Sequence, residues 1–409
     1  MARAGADARN RKVLMRSILE VEAAFASAVE RDDVPGLVAV ATTERDILYE
    51  GAFGKRALNA PDAMTLDSVF WIASMTKAVT STAAMQLVEQ GKLVLDEPIG
   101  ALLPELQTPR ILEGFGENGA PKFRPAKTPI TLRQLLTHTA GFAYDMWNAD
   151  IARYCRENGI PPVRSCQKKA LTAPLASEPG SQWEYSIAID FVGLAVEAAS
   201  GQRLDAYLRD HIFAPLAMHD TGFAITPAMR ERLVGMHARQ ADGSLQPIAF
   251  EVPQEPEFHM GGGGLYGTAH DYIRFIRMFL NDGALDGNRV LKPETVALMA
   301  QNHIGDLNVR RLPAAIPQVT NDIDLYPDQD KKWGLGFMIN TEPTEEGRRA
   351  GSLAWAGLAN TYYWIDPKRN VGGVIFAQLF PFADKKVLDL FSRFERAIYA
   401  RLDVSDRAA

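Results

Sequence analysis

Ser74-Met75-Thr76-Lys77 stands between an apolar, strand-like run, Val69-Phe70-Trp71-Ile72, and a helix-like run from Ala78 to Glu89. Positions three apart on a helix share a face, so the Lys77 amine is expected beside the Ser74 hydroxyl. A serine hydroxyl alone is a weak nucleophile at neutral pH, and a neighbouring amine of depressed pKa can accept its proton. N–H groups at a helix N-terminus favour an anion there, whether an alkoxide or a developing oxyanion. The stretch reads as a strand-to-helix junction that carries an activated serine.

Upstream of it, apolar residues recur at helical spacing from Lys12 to Glu30 (Val13, Leu14, Ile18, Val21, Phe25, Val29), which predicts an amphipathic helix. Leu37 to Ala41 and Asp46 to Phe53 read as two strands around a polar turn, and Ser68 to Ile72 as a third. Downstream, helices are expected over Thr76 to Gln90, Leu132 to Thr137, Ile187 to Ala199 and Leu204 to Ile212. The third of these is apolar on most sides and therefore expected to be buried. Segments 107–128 and 142–182 read as long irregular connections, a kind that is often functional. The run Gly261 to Gly264 lacks the G-K-[ST] ending and preceding strand of a phosphate loop, and reads instead as close backbone approach to a site or to another element. A helix follows from Ala269 to Leu280. Strand patterns return at Leu353 to Ala356, Thr361 to Ile365 and Val371 to Leu379, before a closing helix from Lys385 to Leu402. Strands joined by short turns are antiparallel. The expected fold class is α+β: an antiparallel sheet flanked by helices, built from residues 1–75 and 221–409, plus a mostly helical lobe over 76–220, with the site in the cleft between.

Composition narrows the function classes. In 409 residues, 47% hydrophobic, there is ample material for a large core. A formal net charge of −6 gives no electrostatic reason to expect nucleic acid or an anionic membrane as partner. No apolar run reaches the roughly 18 residues a transmembrane helix needs. Met1 to Arg16 is Ala/Arg-rich with no apolar h-region, so no signal peptide is expected and a cytoplasmic location is. Cys155 and Cys166 are the only cysteines and are expected as free thiols. With no His/Cys cluster at ligand spacing, no metal is expected.

Two other stretches supply companions for the serine. In Trp183-Glu184-Tyr185-Ser186, a tyrosine just ahead of a buried helix can project its phenol into a cleft. Beside Ser74 and Lys77 it could serve as general base to the serine and general acid to a leaving group, provided that the nearby ammonium lowers its pKa. The strand-like Ser352 to Leu358 ends in small residues. A glycine there lets a substrate approach the backbone, and a following N–H can pair with that of Ser74 as an oxyanion hole, worth about 3 kcal/mol per donor.

Ser74-Met75-Thr76-Lys77, Tyr185-Ser186 and Trp355-Ala356-Gly357, in this order and spacing, resemble the three motifs of the family VIII carboxylesterases, within the class C β-lactamase and penicillin-binding-protein superfamily. Leu135 to Gly141, Phe213 to Met218 and Gly261 to Gly264 match further family features, and Ile111 to Gly141 resembles the fungal acyltransferases that load statin side chains. The likeness spans roughly residues 15 to 400. It implies Ser74 as the acylated nucleophile, Lys77 as the lysine that eases its deprotonation, Tyr185 as the proton shuttle, and the backbone N–H groups of Ser74 and Leu358 as the oxyanion hole. It places His138 at a helix end in a structural role; a Ser-His-Asp triad through His138 is the rival mechanism. It implies no metal or organic cofactor.

Two departures redirect the expected chemistry. Ile187 stands where β-lactamase members carry an asparagine, and Trp355 stands where they carry the lysine of K-T-G, so the cation that would hold a β-lactam carboxylate is missing. Both changes make the site more apolar and favour neutral acyl esters. The expected substrate is a small-molecule ester of short to medium acyl chain. Trp355, Gly357, Ile187, Tyr144 and Trp147 are the expected substrate contacts, with Tyr154, Phe258 and Trp333 as further pocket candidates. No G-x-S-x-G elbow occurs, so an esterase nucleophile here is not of the α/β-hydrolase kind. Acyl transfer onto a metabolite alcohol, and β-lactam or D-amino-acid peptide hydrolysis, are the alternatives.

Overall fold

Gly36–Thr42 (β1) is buried at every position, and Ile47–Gly54 (β2) folds back on it antiparallel. A strand without an exposed face must be covered on both sides and paired on both edges. The second partner of β1 comes from the far end of the chain. The structure, a computed structural model, describes residues 17–408. Its main sheet adds Lys331–Trp333 (β3), Met338–Asn340 (β4), Leu353–Gly357 (β5), Thr361–Asp366 (β6) and Val371–Phe376 (β7). The seven strands lie in the order β3-β4-β5-β6-β7-β1-β2, antiparallel throughout, with Val38 opposite Phe376 at the join between the chain ends.

Helices cover both faces, and the period-two alternation of β6 shows how. Trp364 meets Phe391 and Phe394 of the closing helix Lys385–Ala408, with ring centroids 5.8 and 5.7 Å apart, and Phe394 in turn meets Phe25 of the N-terminal helix over 17–30. Tyr363, on the opposite face, meets Tyr272 of the helix Ala269–Leu280 at 5.2 Å. The neighbouring strand makes room for both: a Cβ at Gly373 would fall 2.4 Å from the Trp364 ring, and one at Gly372 would fall 2.6 Å from Ile276. Between sheet and remaining helices runs α2 (Thr76–Glu89; the helix over 17–30 is α1), buried from Thr76 to Leu87 and packed on α3 (Ala188–Ser200). A helix buried on all sides must satisfy its polar side chains internally. Thr80 donates to the Gly261 carbonyl at 2.7 Å and Gln86 to that of Val290 at 2.9 Å.

Several expectations are corrected. The first residues of the predicted N-terminal helix, 12–16, lie outside the described residues. Segment 107–128 contains a hairpin, Arg110–Phe115 with Pro121–Pro125; the prolines at the ends of its second strand disguise it, while Asn118-Gly119 (φ +78° at Gly119) makes the turn. Segment 142–182 contains the helix Ala149–Glu157, capped by Asn148, whose side chain accepts from the Ile151 N–H. The sheet has five C-terminal strands where three were expected, because β3 and β4 are three residues each and carry no alternation long enough to read. The last predicted strand stops at Phe376; Leu379–Phe380 leaves the sheet to pair in parallel with Met236–Arg239. The expected strand at Ser68 to Ile72 shrinks to Phe70–Trp71, paired with Tyr266–Gly267. The helix expected over Leu204 to Ile212 is Leu204–Leu208 continued by a π-turn, Arg209–Phe213. No helix among the described residues is long and apolar enough to cross a membrane.

Candidate active site

Ser74 sits on a single 3-10 turn, Ala73–Met75, between strand Phe70–Trp71 and the start of α2. The turn is held from both sides. The Gln378 side chain accepts from the Trp71 N–H at 3.1 Å and donates to its carbonyl at 3.0 Å, imitating a strand partner. Thr76 Oγ1 donates to the Ala73 carbonyl at 2.6 Å and accepts from the Leu265 N–H at 3.2 Å. These bonds keep Ala73 at φ +45°, a conformation unfavourable for a residue with a Cβ. One helical turn on, Lys77 Nζ lies 3.1 Å from Ser74 Oγ.

Lys77 is buried and makes two further bonds, to Tyr144 Oη at 2.9 Å and to the Gly262 carbonyl at 2.6 Å. A carbonyl can only accept, so it claims one N–H, and the Tyr144 hydroxyl takes a second. On an ammonium the third N–H faces Ser74; on a neutral amine that position belongs to the lone pair, aimed at the serine hydroxyl. Burial lowers the Lys77 pKa to about 7, and the charge of Asp190 opposes the fall. Asp190 is itself buried on α3, and burial pushes its carboxyl upward. Its Oδ1 accepts from the Gly262 N–H at 2.8 Å, while Oδ2 has no hydrogen-bond partner among the described residues. Gly262 therefore joins Lys77 through its C=O to Asp190 through its N–H. A Cβ at this position would sit 2.8 Å from Asp190 Oδ2. Close backbone approach is thus what the glycine run supplies.

The Tyr185 hydroxyl accepts the Trp355 Nε1–H at 2.8 Å and is hydrogen-bonded with Ser74. Lys77 Nζ lies 4.7 Å from the centre of the Tyr185 ring. Burial raises the Tyr185 pKa above the ordinary phenol value, with the bonds to Ser74 and Trp355 pulling the other way. The lowered tyrosine required by the sequence reading is therefore not found: loss of solvent outweighs those bonds. Lys77 is the group poised near neutrality, and Tyr185 is a protonated phenol gripped by an indole. His138 follows the helix Leu132–Leu136 at φ +57°, with Nδ1 3.2 Å from Ser186 Oγ. Burial holds its pKa well below 6.5, and among the described residues it makes no hydrogen bond to Ser74.

Ser74 opens into a cleft whose wall includes the expected Tyr144, Trp147 and Leu358, together with Trp71 and Arg164, which were not anticipated. Other expected contacts lie elsewhere. Ile187 immediately precedes α3, makes no side-chain capping bond, and is buried outside the cleft wall. Gly357 is required by packing: a Cβ there would fall 2.3 Å from the Ile72 carbonyl, so its smallness seats β5 against the turn that carries Ser74. Tyr154 packs on Phe123 at 5.6 Å beside a separate depression. Trp333 is buried against Trp355 at 4.7 Å, and Phe258 is buried outside the cleft wall. Asp190 is not among the residues expected from the sequence; its signal there is a single acid early in an otherwise apolar helix pattern. Tyr144 was read as a pocket wall, and its bond to Lys77 left no trace in the sequence. Both cysteines are free and buried.

The chain is 31% identical to monacolin J acid methylbutanoyltransferase from Aspergillus terreus, over 94% of this chain and 96% of that one. It is 30% identical to a lovastatin esterase from Penicillium rubens, over 93% and 98%. A mutant of simvastatin synthase from Aspergillus terreus superposes with a TM-score of 0.83 at 33% identity, over 95% of this chain and 98% of that chain. The family description matching residues 21–397 is Beta-lactamase, and with that span and these relatives the chain belongs to the β-lactamase family.

Proposed function

We propose that the protein is a serine carboxylesterase that cleaves small-molecule acyl esters through an acyl-enzyme on Ser74. The observation that carries this reading is the contact of Ser74 Oγ with Lys77 Nζ at the edge of an apolar cleft, with the Tyr185 hydroxyl beside it. Neutral Lys77 takes the Ser74 proton as Oγ bonds to the ester carbonyl carbon. The carbonyl oxygen becomes an oxyanion received by the N–H groups of Ser74 and Leu358. As the C–O bond to the alcohol breaks, Tyr185 gives its proton to the departing oxygen and is reprotonated by the Lys77 ammonium. In the second half, water attacks the acyl carbon, its proton goes to Lys77, and Ser74 regains a proton as the acid leaves. Tyr144 and the Gly262 carbonyl hold Lys77 in place for both halves.

A second reading has its own support. The Aspergillus terreus relative is named as a transferase and the Penicillium rubens relative as an esterase, at nearly equal identity. Both outcomes share the acyl-enzyme and differ only in whether water or an alcohol receives the acyl group. The test is labelling with a fluorophosphonate followed by mass spectrometry, alongside turnover of p-nitrophenyl butyrate with and without added alcohols. Phosphonylated Ser74, and loss of ester turnover in Ser74→Ala with the circular dichroism spectrum unchanged, are the expected results. Unlabelled Ser74 with full ester turnover in the variant would refute the assignment. Transfer exceeding hydrolysis at millimolar alcohol would favour the transferase. Nitrocefin turnover should be weak, since Trp355 replaces the cation that would hold a β-lactam carboxylate.

A further inference from the structure

The polar side chains and the glycine carbonyls of the cleft wall have partners or a role, with one exception. The Gly262 carbonyl takes Lys77 Nζ, the Gly263 carbonyl takes Trp71 Nε1–H at 2.7 Å, and the Tyr144 hydroxyl bonds Lys77. Trp147 Nε1–H, which could have faced a ligand, donates instead to Thr320 Oγ1 at 3.2 Å. Ser74 Oγ is the nucleophile. Arg164 remains. It sits on a 3-10 turn, Val163–Ser165, behind Pro161-Pro162, and is half-buried in the wall of the same cleft as Ser74. Its Nη1 is shielded from solvent and has no hydrogen-bond partner, the only such orphaned side-chain atom on the cleft wall among the described residues.

A guanidinium cannot relieve this by losing its proton. Asp145 is close enough to feel the charge, since Arg164 pulls its carboxyl down against the rise that burial imposes. Yet no hydrogen bond or ion pair among the described residues joins the two; Asp145 Oδ1 accepts the Met146 N–H at 3.0 Å instead. A buried N–H donor on a permanent cation, left unpaired in an otherwise apolar cleft, is complementary to an anion carried by the ligand.

We propose that Arg164 is a specificity residue that binds a carboxylate on the ester, several bonds from the scissile carbonyl. This rests on the serine ester chemistry above and sharpens its substrate class. The loss of a cation at Trp355 pointed to uncharged esters, whereas Arg164 supplies one from a different segment of the chain. The preferred substrate then has an apolar body against Trp147 and Met260 and one anionic group.

The test compares ester pairs that differ by one carboxylate, placed on either side of the scissile bond: p-nitrophenyl hemiglutarate against p-nitrophenyl butyrate, and 3-acetoxybenzoate against phenyl acetate. The readout is the ratio of kcat/KM, anionic over neutral, corrected for the same ratio in spontaneous hydrolysis. A ratio is insensitive to the fraction of protein that is folded. The wild type is expected to favour the anionic member of at least one pair. Arg164→Gln should reduce that preference by about 10- to 100-fold, mainly through KM, and Arg164→Lys should retain part of it. No anionic preference in either wild-type pair, or a preference unchanged in Arg164→Gln, would overturn the proposal. Failure of the underlying reading looks different: all four esters would go unturned and Ser74 would stay unlabelled.

Discussion

The bond from the Trp355 indole to the Tyr185 hydroxyl separates two accounts of the proton relay. Trp355→Phe removes the N–H donor and keeps most of the ring. If the Tyr185 oxygen stayed a neutral phenol throughout, the lost bond would be worth about 1 kcal/mol, or about 5-fold in rate. In the proposed mechanism that oxygen gives up its proton to the leaving group and briefly carries negative charge. The 2.8 Å bond is then charge-assisted, worth about 1.5–3 kcal/mol, or about 10- to 150-fold in kcat. Both rings are buried, so water cannot replace the missing donor. The assay is kcat for ethyl butyrate, whose alkoxide leaving group needs the Tyr185 proton, in Trp355→Phe, Tyr185→Phe and the double variant, with urea unfolding of each to check that the fold is intact. With no phenol oxygen to stabilise, Trp355→Phe should matter little in the Tyr185→Phe background, giving a coupling of at least about 1.5 kcal/mol. Additive effects, or a kcat loss of about fivefold or less in Trp355→Phe, would refute the idea that Tyr185 carries charge in the transition state.

Asp190→Asn should shift the acid limb of the kcat/KM profile to lower pH. Lys77 is faced by Tyr144, Tyr185, His138 and Asp190, and Asp190 supplies the charge that favours the ammonium; without it the amine stays neutral at lower pH, so an unmoved or raised limb would contradict this assignment. Gly262→Ala drives a Cβ into the buried Asp190 carboxylate, and the resulting shift of the peptide that holds Lys77 should lower kcat by about 100-fold on the same ester with the acyl-enzyme still detectable by mass spectrometry. Arg348 and Glu395 form a buried bidentate pair at 2.5 and 2.7 Å. Arg348→Met alone should cost about 3–5 kcal/mol in urea unfolding, and adding Glu395→Leu should recover most of it.

How much of this could be read from the sequence follows from how local each signal is. The nucleophile turn, α2, α3 and the hairpins β1-β2 and β5-β6-β7 carry their own periodicity, and the S-x-x-K spacing alone brings Ser74 and Lys77 into contact. The short strands β3 and β4 are defined by their neighbours and carry no pattern of their own. The hairpin over 110–125 was hidden by its prolines. At the site, residue types were legible while their electrostatic roles were not. Whether Tyr185 is raised or lowered depends on how much water is removed from around it, a property of the assembled fold. Arg164 is one arginine among many in the sequence, and only the pairing of the other polar side chains of the cleft sets it apart.

The sheet is closed by pairing β1 with β7, and this has a consequence for how the protein is made. The contact of Lys77 with Gly262 spans 185 residues and that of Trp71 with Gln378 spans 307. Such distant pairings are slow to form, because the entropy of loop closure must be met before the contacts reward it. During synthesis, the apolar strand Gly36–Thr42 waits with one edge unpaired until residues near 376 have left the ribosome. That interval leaves an aggregation-prone strand exposed, and it makes recovered esterase activity a reporter of the last step of refolding, because no partial assembly of the chain contains a complete site.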